Sequence, residues 1–303
     1  MAMRNRFLGC ALAACLLQVP VAMAEGPIFP PRVIERGPAT LRLSAVYGGT
    51  LKPVASGLKW RVFDEAAQAD GSHILVAESG EAAPALILPQ GQYLVHAALG
   101  LASTTKRMVM SGNDVTDKLV LNAGGLAIIG MLGDTPIQAN RLKLSIFVPE
   151  RGNSEAKLVW ADAKAGETLA LPEGTYHIVS TYLDTVGVGA LDGPDASNAT
   201  NSIVSADLRV QAGKLVTASL RHKAAVLVLK LVNQPGAEAL ANTSFTVLTP
   251  GGDVIRELIG AFPSLVLAEG EYTAIARHDG KTYQTTFKVE STLDRDVEII
   301  AKP

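Results

Sequence analysis

A hexapeptide that ends in tyrosine occurs three times in this chain of 303 residues and constrains its fold more than any other feature. The copies are LPQGQY at 88–93, LPEGTY at 171–176 and LAEGEY at 267–272. Their tyrosines lie 83 and 96 residues apart, a spacing the size of a small domain and much longer than a solenoid repeat. The sequence therefore predicts three tandem domains of one fold.

The segments around each hexapeptide alternate between apolar and other residues, as β-strands do. An opening strand, such as 39–43, and a second strand, such as 58–63, precede the motif, and two strands separated by a polar turn follow it. Hydrophobic residues make up 48% of the chain and aromatic residues only 5%, with 28 glycines and 16 prolines, which favours many short strands joined by tight turns. We predict an all-β chain of three tandem antiparallel β-sandwich domains, immunoglobulin-like or transthyretin-like, at 39–122, 123–221 and 222–303.

Each residue type in the hexapeptide has a physical role. The leucine ends a strand on its core face, and the proline of the first two copies presets φ for the second position of a type I turn. The glycine supplies a positive φ, and the tyrosine begins the next strand with its ring buried and its hydroxyl on a backbone group. The third copy departs from this pattern by having Ala268 in place of proline. The residues interpreted as this structural repeat motif are Tyr93, Tyr176, Tyr272, Gly91, Gly174 and Gly270.

Residues 1–24 have the pattern of a cleaved bacterial signal peptide. Arg4 and Arg6 precede an apolar stretch, and Ala22 and Ala24 form the small-x-small site before Glu25. An uncleaved anchor helix is one alternative. A lipid anchor is the other, because the residues that end at Cys15 resemble a lipobox. We predict a periplasmic or secreted protein, or one lipid-anchored through Cys15, with no transmembrane span in the mature chain.

Cleavage after Ala24 removes both cysteines of the chain, Cys10 and Cys15. The mature protein then has no disulfide and no cysteine nucleophile, so its domains depend on their hydrophobic cores. Residues 25–38 contain four prolines and are predicted to form an extended lead-in.

The second repeat carries an insertion at 184–201 that the other repeats lack. Glycine, aspartate and asparagine dominate it, so we predict a loop, and a loop that differs among otherwise similar repeats is the better candidate for a specific role. A passive insertion is the alternative. Its side chains could also gather oxygen ligands for calcium, although their spacing does not match an EF-hand. The candidate partner-binding residues are Asp184, Asp192, Asp195, Asn198 and Asn201.

No pattern in the sequence predicts a catalytic site, a metal site or a cofactor. The five histidines have no metal-ligand spacing and are interpreted as isolated surface or strand residues. The segment Arg277-His278-Asp279 is interpreted as a hairpin turn. Without a clustered basic surface in a chain of net charge −2, nucleic-acid binding is excluded. Trp60 and Trp160 are interpreted as core or interface residues, with sugar stacking as the alternative for Trp160.

The opening strand, the Leu-Pro-x-Gly-x-Tyr motif and the closing strands resemble small bacterial transthyretin-like or immunoglobulin-like modules. Carboxypeptidase-regulatory-like and PEGA-type repeats are similar, and the resemblance covers most of residues 39–302. It implies an adhesive, scaffolding or carbohydrate-facing role. We therefore expect an exported, non-enzymatic binding or scaffold protein of the bacterial envelope that engages a protein or cell-envelope component. A carbohydrate-binding protein is the alternative, and an enzyme with a dispersed site is a third hypothesis.

Overall fold

The structure, a computed structural model, describes residues 37–149, 156–184 and 199–302. The predicted signal peptide with Cys15, and residues 25–36 of the lead-in, lie outside the described residues. So do Asp192, Asp195 and Asn198. Within the described ranges, no helix has the length and apolar character needed to cross a bilayer.

The first repeat consists of seven strands in two sheets. The strands are β1 (Ala39–Tyr47), β2 (Leu58–Ala67), β3 (His73–Ser79), β4 (Ala85–Leu88), β5 (Gly91–Leu99), β6 (Ala102–Met110) and β7 (Val115–Leu121). One sheet has the order β4-β1-β7 and the other has the order β3-β2-β5-β6. Alternate residues of β1 and β5 are buried, and they form one hydrophobic cluster with fully buried Trp60 of β2. The two sheets therefore pack face to face as a β-sandwich.

The second repeat has the same arrangement with one short additional strand. Its elements are β8 (Ala123–Leu132), β9 (Thr135–Pro136), the 3-10 helix η1 (Ala139–Arg141), β10 (Leu142–Val148), β11 (Lys157–Ala163), β12 (Thr168–Pro172), β13 (Gly174–Leu183), β14 (Ala199–Val210) and β15 (Leu215–His222). The sheets have the orders β12-β8-β15 and β11-β10-β13-β14, and β9 pairs with β8. Leu126, Ile146 and Ile178, from both sheets, meet in the core of this repeat.

The third repeat again has seven strands. They are β16 (Ala224–Val232), β17 (Ser244–Leu248), β18 (Val254–Ile259), β19 (Ser264–Ala268), β20 (Gly270–His278), β21 (Lys281–Val289) and β22 (Arg295–Ile300). Their orders, β19-β16-β22 and β18-β17-β20-β21, repeat those of the first seven strands. Leu227, Phe245 and Ala274 lie in its core. The prediction of an all-β chain of tandem β-sandwiches is confirmed.

In each repeat, one strand pair departs from antiparallel order. The first and last strands run parallel, as β1 with β7, β8 with β15, and β16 with β22, while the other pairs are antiparallel. This pair joins the two ends of each repeat within one sheet, since the last strand lies beside the first.

Two strand ends differ from the predicted boundaries. Strand β14 begins at Ala199, so Asn201 lies in a strand and not in the predicted loop at 184–201. Strand β15 extends to His222, which thereby belongs to a sheet of the second repeat. The three repeats as separately folding units stay a prediction.

Candidate functional site: sheet edges and the junctions between repeats

The three motif tyrosines make the same contact in their own repeats. Each is about 5% exposed or less, and each hydroxyl donates to the backbone carbonyl four residues upstream. The oxygen–oxygen distances are 3.1 Å from Tyr93 to Pro89, 2.8 Å from Tyr176 to Pro172 and 2.8 Å from Tyr272 to Ala268. Because the strand before the motif lies in one sheet and the strand after it in the other, this bond closes a corner between the sheets.

The motif glycine has a different role from the predicted one. Neither Gly91 nor Gly174 has a positive φ, and Gly270, at 159°, is close to extended backbone. A Cβ atom on Gly91 would lie 3.1 Å from the hydroxyl oxygen of Tyr93, so the glycine leaves room for the ring that folds back over it. The contact is looser at Gly174, where the nearest ring atom of Tyr176 is 3.8 Å away. A steric requirement for glycine is therefore shown at Gly91, whereas the 3.8 Å at Gly174 is an ordinary van der Waals contact.

Ala268 provides a contact that the proline of the other copies cannot make. Its backbone N–H donates to Oδ1 of Asn201, in strand β14 of the preceding repeat, at 2.8 Å. The amide Nδ2 of Asn201 donates in turn to the hydroxyl of Tyr272, also at 2.8 Å. Proline has no N–H, so the departure from the motif places a hydrogen bond at the junction of the second and third repeats.

Asp184, at the other end of the predicted loop, binds the same edge strand. One carboxylate oxygen accepts the N–H of Val266 at 2.5 Å, and the other lies 3.1 Å from Nε of Arg256. The residue is 5% exposed. Burial raises the pKa of Asp184, and the Val266 N–H, Arg256 and Arg141 act against that rise. Both oxygens are thus engaged by donors of the chain, and calcium would have to displace them.

A buried histidine supports the same junction from the side of the second repeat. His222 is 1% exposed, and its ring lies between Ser180 Oγ, 2.9 Å from Nε2, and Ser202 Oγ, 3.0 Å from Nδ1. The edge of the ring of Tyr182 packs on it at 5.9 Å between centroids. Burial lowers the pKa of His222. His222 is a strand residue, as interpreted from the sequence, and its ring joins strands β13, β14 and β15.

The serines beside His222 do not form a nucleophilic site of the usual kind. Ser180 and Ser202 are buried, at 0% and 3% exposed. Both ring nitrogens face a hydroxyl, whereas a catalytic histidine directs one nitrogen at a carboxylate. The cluster packs beside Tyr182, Ala224 and Val266, which form a small hydrophobic core between the second and third repeats.

The segment at 277–279 lies at a hairpin turn, as the sequence indicates. Asp279 has a φ of 47° and follows the last residue of β20. His278 lies between Oδ2 of Asp279 and Oγ1 of Thr243, each at 3.4 Å. Thr243 is fully buried and donates its hydroxyl to the carbonyl of Leu240, so it is not available as a nucleophile.

The junction between the first and second repeats uses backbone groups. The N–H of Leu101, in the turn between β5 and β6, donates to the carbonyl of Ala170 in β12 at 3.0 Å. A Cβ on the preceding Gly100 would lie 2.4 Å from that same oxygen. Gly100 also has a φ of 57°, so both its conformation and this close approach favour glycine.

The two outer strands of the large sheet in the first repeat have opposite character. On β3, the consecutive residues Ile74, Leu75 and Val76 are 53%, 46% and 41% exposed. On β6, at the other edge, Lys106 pairs with Asp117 and Arg107 with Glu65. Charged side chains on an edge strand prevent pairing with another chain, whereas an apolar edge strand invites it.

The two tryptophans differ in burial. Trp60 is 0% exposed, and its Nε1 donates to the carbonyl of Glu81 at 3.0 Å. Trp160 is half-buried and packs against the core of the second repeat. No group of three or more histidine, cysteine, aspartate or glutamate side chains that could hold a metal ion occurs among the described residues.

Residues 226–301, which make up most of the third repeat, match the sequence profile of a Rhizobiales growth-associated tandem repeat domain. A comparison with curated proteins gave no match. Several solved structures are similar in part. The Bacillus anthracis TIE protein is 17% identical over 88% of this chain and 50% of its own, with a TM-score of 0.23, so the chain spans half its length.

Two pilins have similarly low sequence identity and TM-score to this chain. A streptococcal ancillary pilin is 13% identical over 88% of this chain and 99% of its own, with a TM-score of 0.30. The minor pilin of Streptococcus agalactiae is 13% identical over 61% of this chain and 95% of its own, with a TM-score of 0.28. The match to the tandem repeat domain covers a quarter of the chain and bears on its last repeat.

Proposed function

We propose that this chain is an exported, non-enzymatic scaffold protein of the bacterial envelope that engages a protein partner at the β3 edge of its first repeat. The observation that carries the proposal is the exposed apolar run of Ile74, Leu75 and Val76 on an edge strand. The signal-peptide pattern of residues 1–24 supports export. The common order of the seven principal strands in all three repeats supports the resemblance to immunoglobulin-like or transthyretin-like modules.

The β3 edge suits an extended protein segment. The pairing of β2 with β3 has a register shift here, because Val62 lies opposite Ala77 and the next residue, Phe63, lies opposite Leu75. Val76 is therefore an extra residue in β3, and the regular alternation of faces is interrupted at this point. A strand added beside β3 would pair with its outer backbone groups and cover the exposed apolar side chains of this run. Each of these side chains is already about half-buried, so burying the remainder contributes about 0.7–1.5 kcal/mol, a factor of roughly 3 to 10 in affinity.

The test is site-specific photo-crosslinking of the full chain in its native host, with the crosslinker at Leu75 of β3 or at Thr105 of β6. A protein captured from Leu75 and not from Thr105 is then purified, and its affinity for the chain is measured. We expect Leu75→Lys to weaken binding about tenfold or more, because a charge would be buried in the contact. Exposed Val109→Lys, on β6, is the matched control and should leave affinity unchanged.

Equal capture from both edges, or unchanged affinity of the Leu75→Lys chain, would refute the proposal. The predicted loop at 184–201 is retained as a second candidate surface, since Asp184 and Asn201 fix its two ends to the third repeat while Asp192, Asp195 and Asn198 lie between them in the sequence.

A further inference from the structure

The two junctions inside the chain are made by equivalent positions of successive repeats. Leu101 and Asp184 each lie eight residues after the motif tyrosine of their own repeat. Their partners, Ala170 and Val266, each lie six residues before the tyrosine of the next repeat. Leu101 donates its N–H to Ala170, and Asp184 accepts the N–H of Val266. We call the edge strand that contains the motif leucine, which is β4, β12 or β19, the head edge of its repeat. The segment that follows the next strand, β5, β13 or β20, is its tail turn.

The corresponding head-edge position of the first repeat and tail-turn position of the third repeat are exposed. Ile87 lies six residues before Tyr93, on the head edge of the first repeat, and is 73% exposed. Gly280 lies eight residues after Tyr272, in the tail turn of the third repeat, and is also exposed, as is Asp279 beside it. Ile87 pairs with Thr40 of β1, and Val266 pairs with Val226 of β16. In both repeats this pair lies directly beside the pair that the motif leucine makes. This register directs the N–H of Ile87 away from the sheet, where Val266 meets Asp184.

We propose that the head edge at Ile87 binds the tail turn Asp279–Gly280 of a second copy of this chain. Both internal junctions show that a head edge of this fold receives the tail turn of the repeat before it, which identifies the occupant. Gly280, at the position of Asp184, has no side chain, but Asp279 immediately before it carries a carboxylate that can accept the N–H of Ile87. The inference goes beyond the proposed function, because it concerns β4 and not β3.

The geometry of the contact follows the second junction more closely than the first. At the first junction, Gly100 permits an approach in which any Cβ would lie 2.4 Å from the Ala170 carbonyl oxygen. Gly100 lies seven residues after its motif tyrosine, and the residues at the same position of the second and third repeats, Leu183 and Asp279, both have side chains. Pro89 lacks the N–H that Ala268 donates to Asn201, so the contact has fewer hydrogen bonds than the second junction and should be weak.

A head-to-tail contact between copies is heterologous, so copies add one after another, into an open chain or into a ring where the rotation between copies closes, and the average mass rises with concentration. The test is sedimentation equilibrium of the mature full chain between about 10 µM and about 1 mM, a range that detects weak contacts. We expect the average mass to rise with concentration. Ile87→Lys and Asp279→Lys should each abolish the rise, and Leu75→Lys, on β3, should leave it unchanged.

Mixing the two blocked chains gives the decisive result. Ile87→Lys retains its tail turn and Asp279→Lys retains its head edge, so an equimolar mixture should form one-to-one dimers and nothing longer. Far-ultraviolet circular dichroism and melting temperature establish that each variant is folded. A monomeric parent chain at every concentration would overturn the proposal, as would a mixture that stays monomeric or association that survives Ile87→Lys. Association that appears only after deletion of residues 25–36 would also overturn it, since the chain's own lead-in would then cover the head edge.

Discussion

Replacing Ala268 with proline restores the motif of the other two repeats and removes one junction hydrogen bond. The N–H that donates to Oδ1 of Asn201 is lost, which removes about 1 kcal/mol of net stabilisation. Proline also restricts the unfolded chain and stabilises the fold by about 0.4–1 kcal/mol where the backbone accepts it. Pro89 and Pro172 occupy the equivalent position, so we expect the backbone to accept it. The two effects nearly cancel, and the single variant should unfold within about 1 kcal/mol of the parent chain.

A double-mutant cycle with Asn201→Ala separates the two effects. In the parent chain, Asn201→Ala removes the bonds to both Ala268 and Tyr272, at a cost of about 1–3 kcal/mol. In the Ala268→Pro chain only the bond to Tyr272 remains to be lost. The cost of Asn201→Ala should therefore be smaller by about 1 kcal/mol, and this difference is the coupling energy of the pair.

The assay is equilibrium unfolding in urea, with hydrogen exchange of the β19 amides to locate the effect. Pro172→Ala provides the matched control, because it changes the same motif position in the second repeat, away from Asn201. Its effect should add to that of Asn201→Ala. A coupling energy below about 0.3 kcal/mol for Asn201 and position 268, within the error of additivity, would refute the assignment of Ala268 to the junction.

Three further outcomes are expected. Tyr176→Phe removes only the corner hydrogen bond and should lower the free energy of unfolding by about 1 kcal/mol, whereas Tyr176→Ala should lower it by about 3 kcal/mol or more. The same substitutions at Tyr93 should have the same effects. An unchanged melting temperature of the alanine variants would contradict this prediction. Burial lowers the pKa of His222, so below about pH 6.5 the unfolded chain binds a proton that the folded chain does not. The free energy of unfolding should therefore be constant at neutral pH and fall as the pH drops below that value, and His222→Gln should reduce this slope; equal slopes would contradict it. Asp184→Asn keeps an acceptor for the N–H of Val266, whereas Asp184→Ala leaves that N–H without one. Urea unfolding should therefore show the alanine variant to be less stable than the asparagine variant by about 1–3 kcal/mol. Equal stabilities of the two variants would count against the role of the side-chain acceptor.

The features predictable from the sequence are those with a local or repeated signal. Period-two alternation identified strands such as β5 and β20, and the recurring tyrosine pointed to a corner that the structure shows three times. The parallel pairing of the first and last strands has no such signal, because it joins segments 68 to 90 residues apart whose apolar patterns suit either direction. The sequence predicts a positive φ for the motif glycine, because turns commonly place glycine where φ is positive. Its contact with the tyrosine ring, as at Gly91, is visible only in the structure.

The contacts of the residues at the junctions could not be predicted from the sequence for a different reason. Asp184 and Asn201 have the composition of a loop, and only the position of the next repeat shows that one is buried and the other hydrogen-bonded. His222 likewise depends on serines from two other strands. One signal was present in the sequence, namely Ala268, the single departure from proline in the motif. A position that breaks a repeated rule marks a place where something other than the fold determines the residue.

Two sets of positions in this chain differ in whether their contacts lie within one repeat or between repeats. The tyrosines are identical because each closes the same corner within its own repeat, and no neighbour affects that bond except at Tyr272. The positions six residues before and eight residues after them vary because each pair must fit a particular neighbour. Local chemistry therefore distinguishes one neighbour from another: a second repeat placed after another second repeat would present Pro172 to Asn201 and lose the hydrogen bond that Ala268 makes, which contributes about 1 kcal/mol.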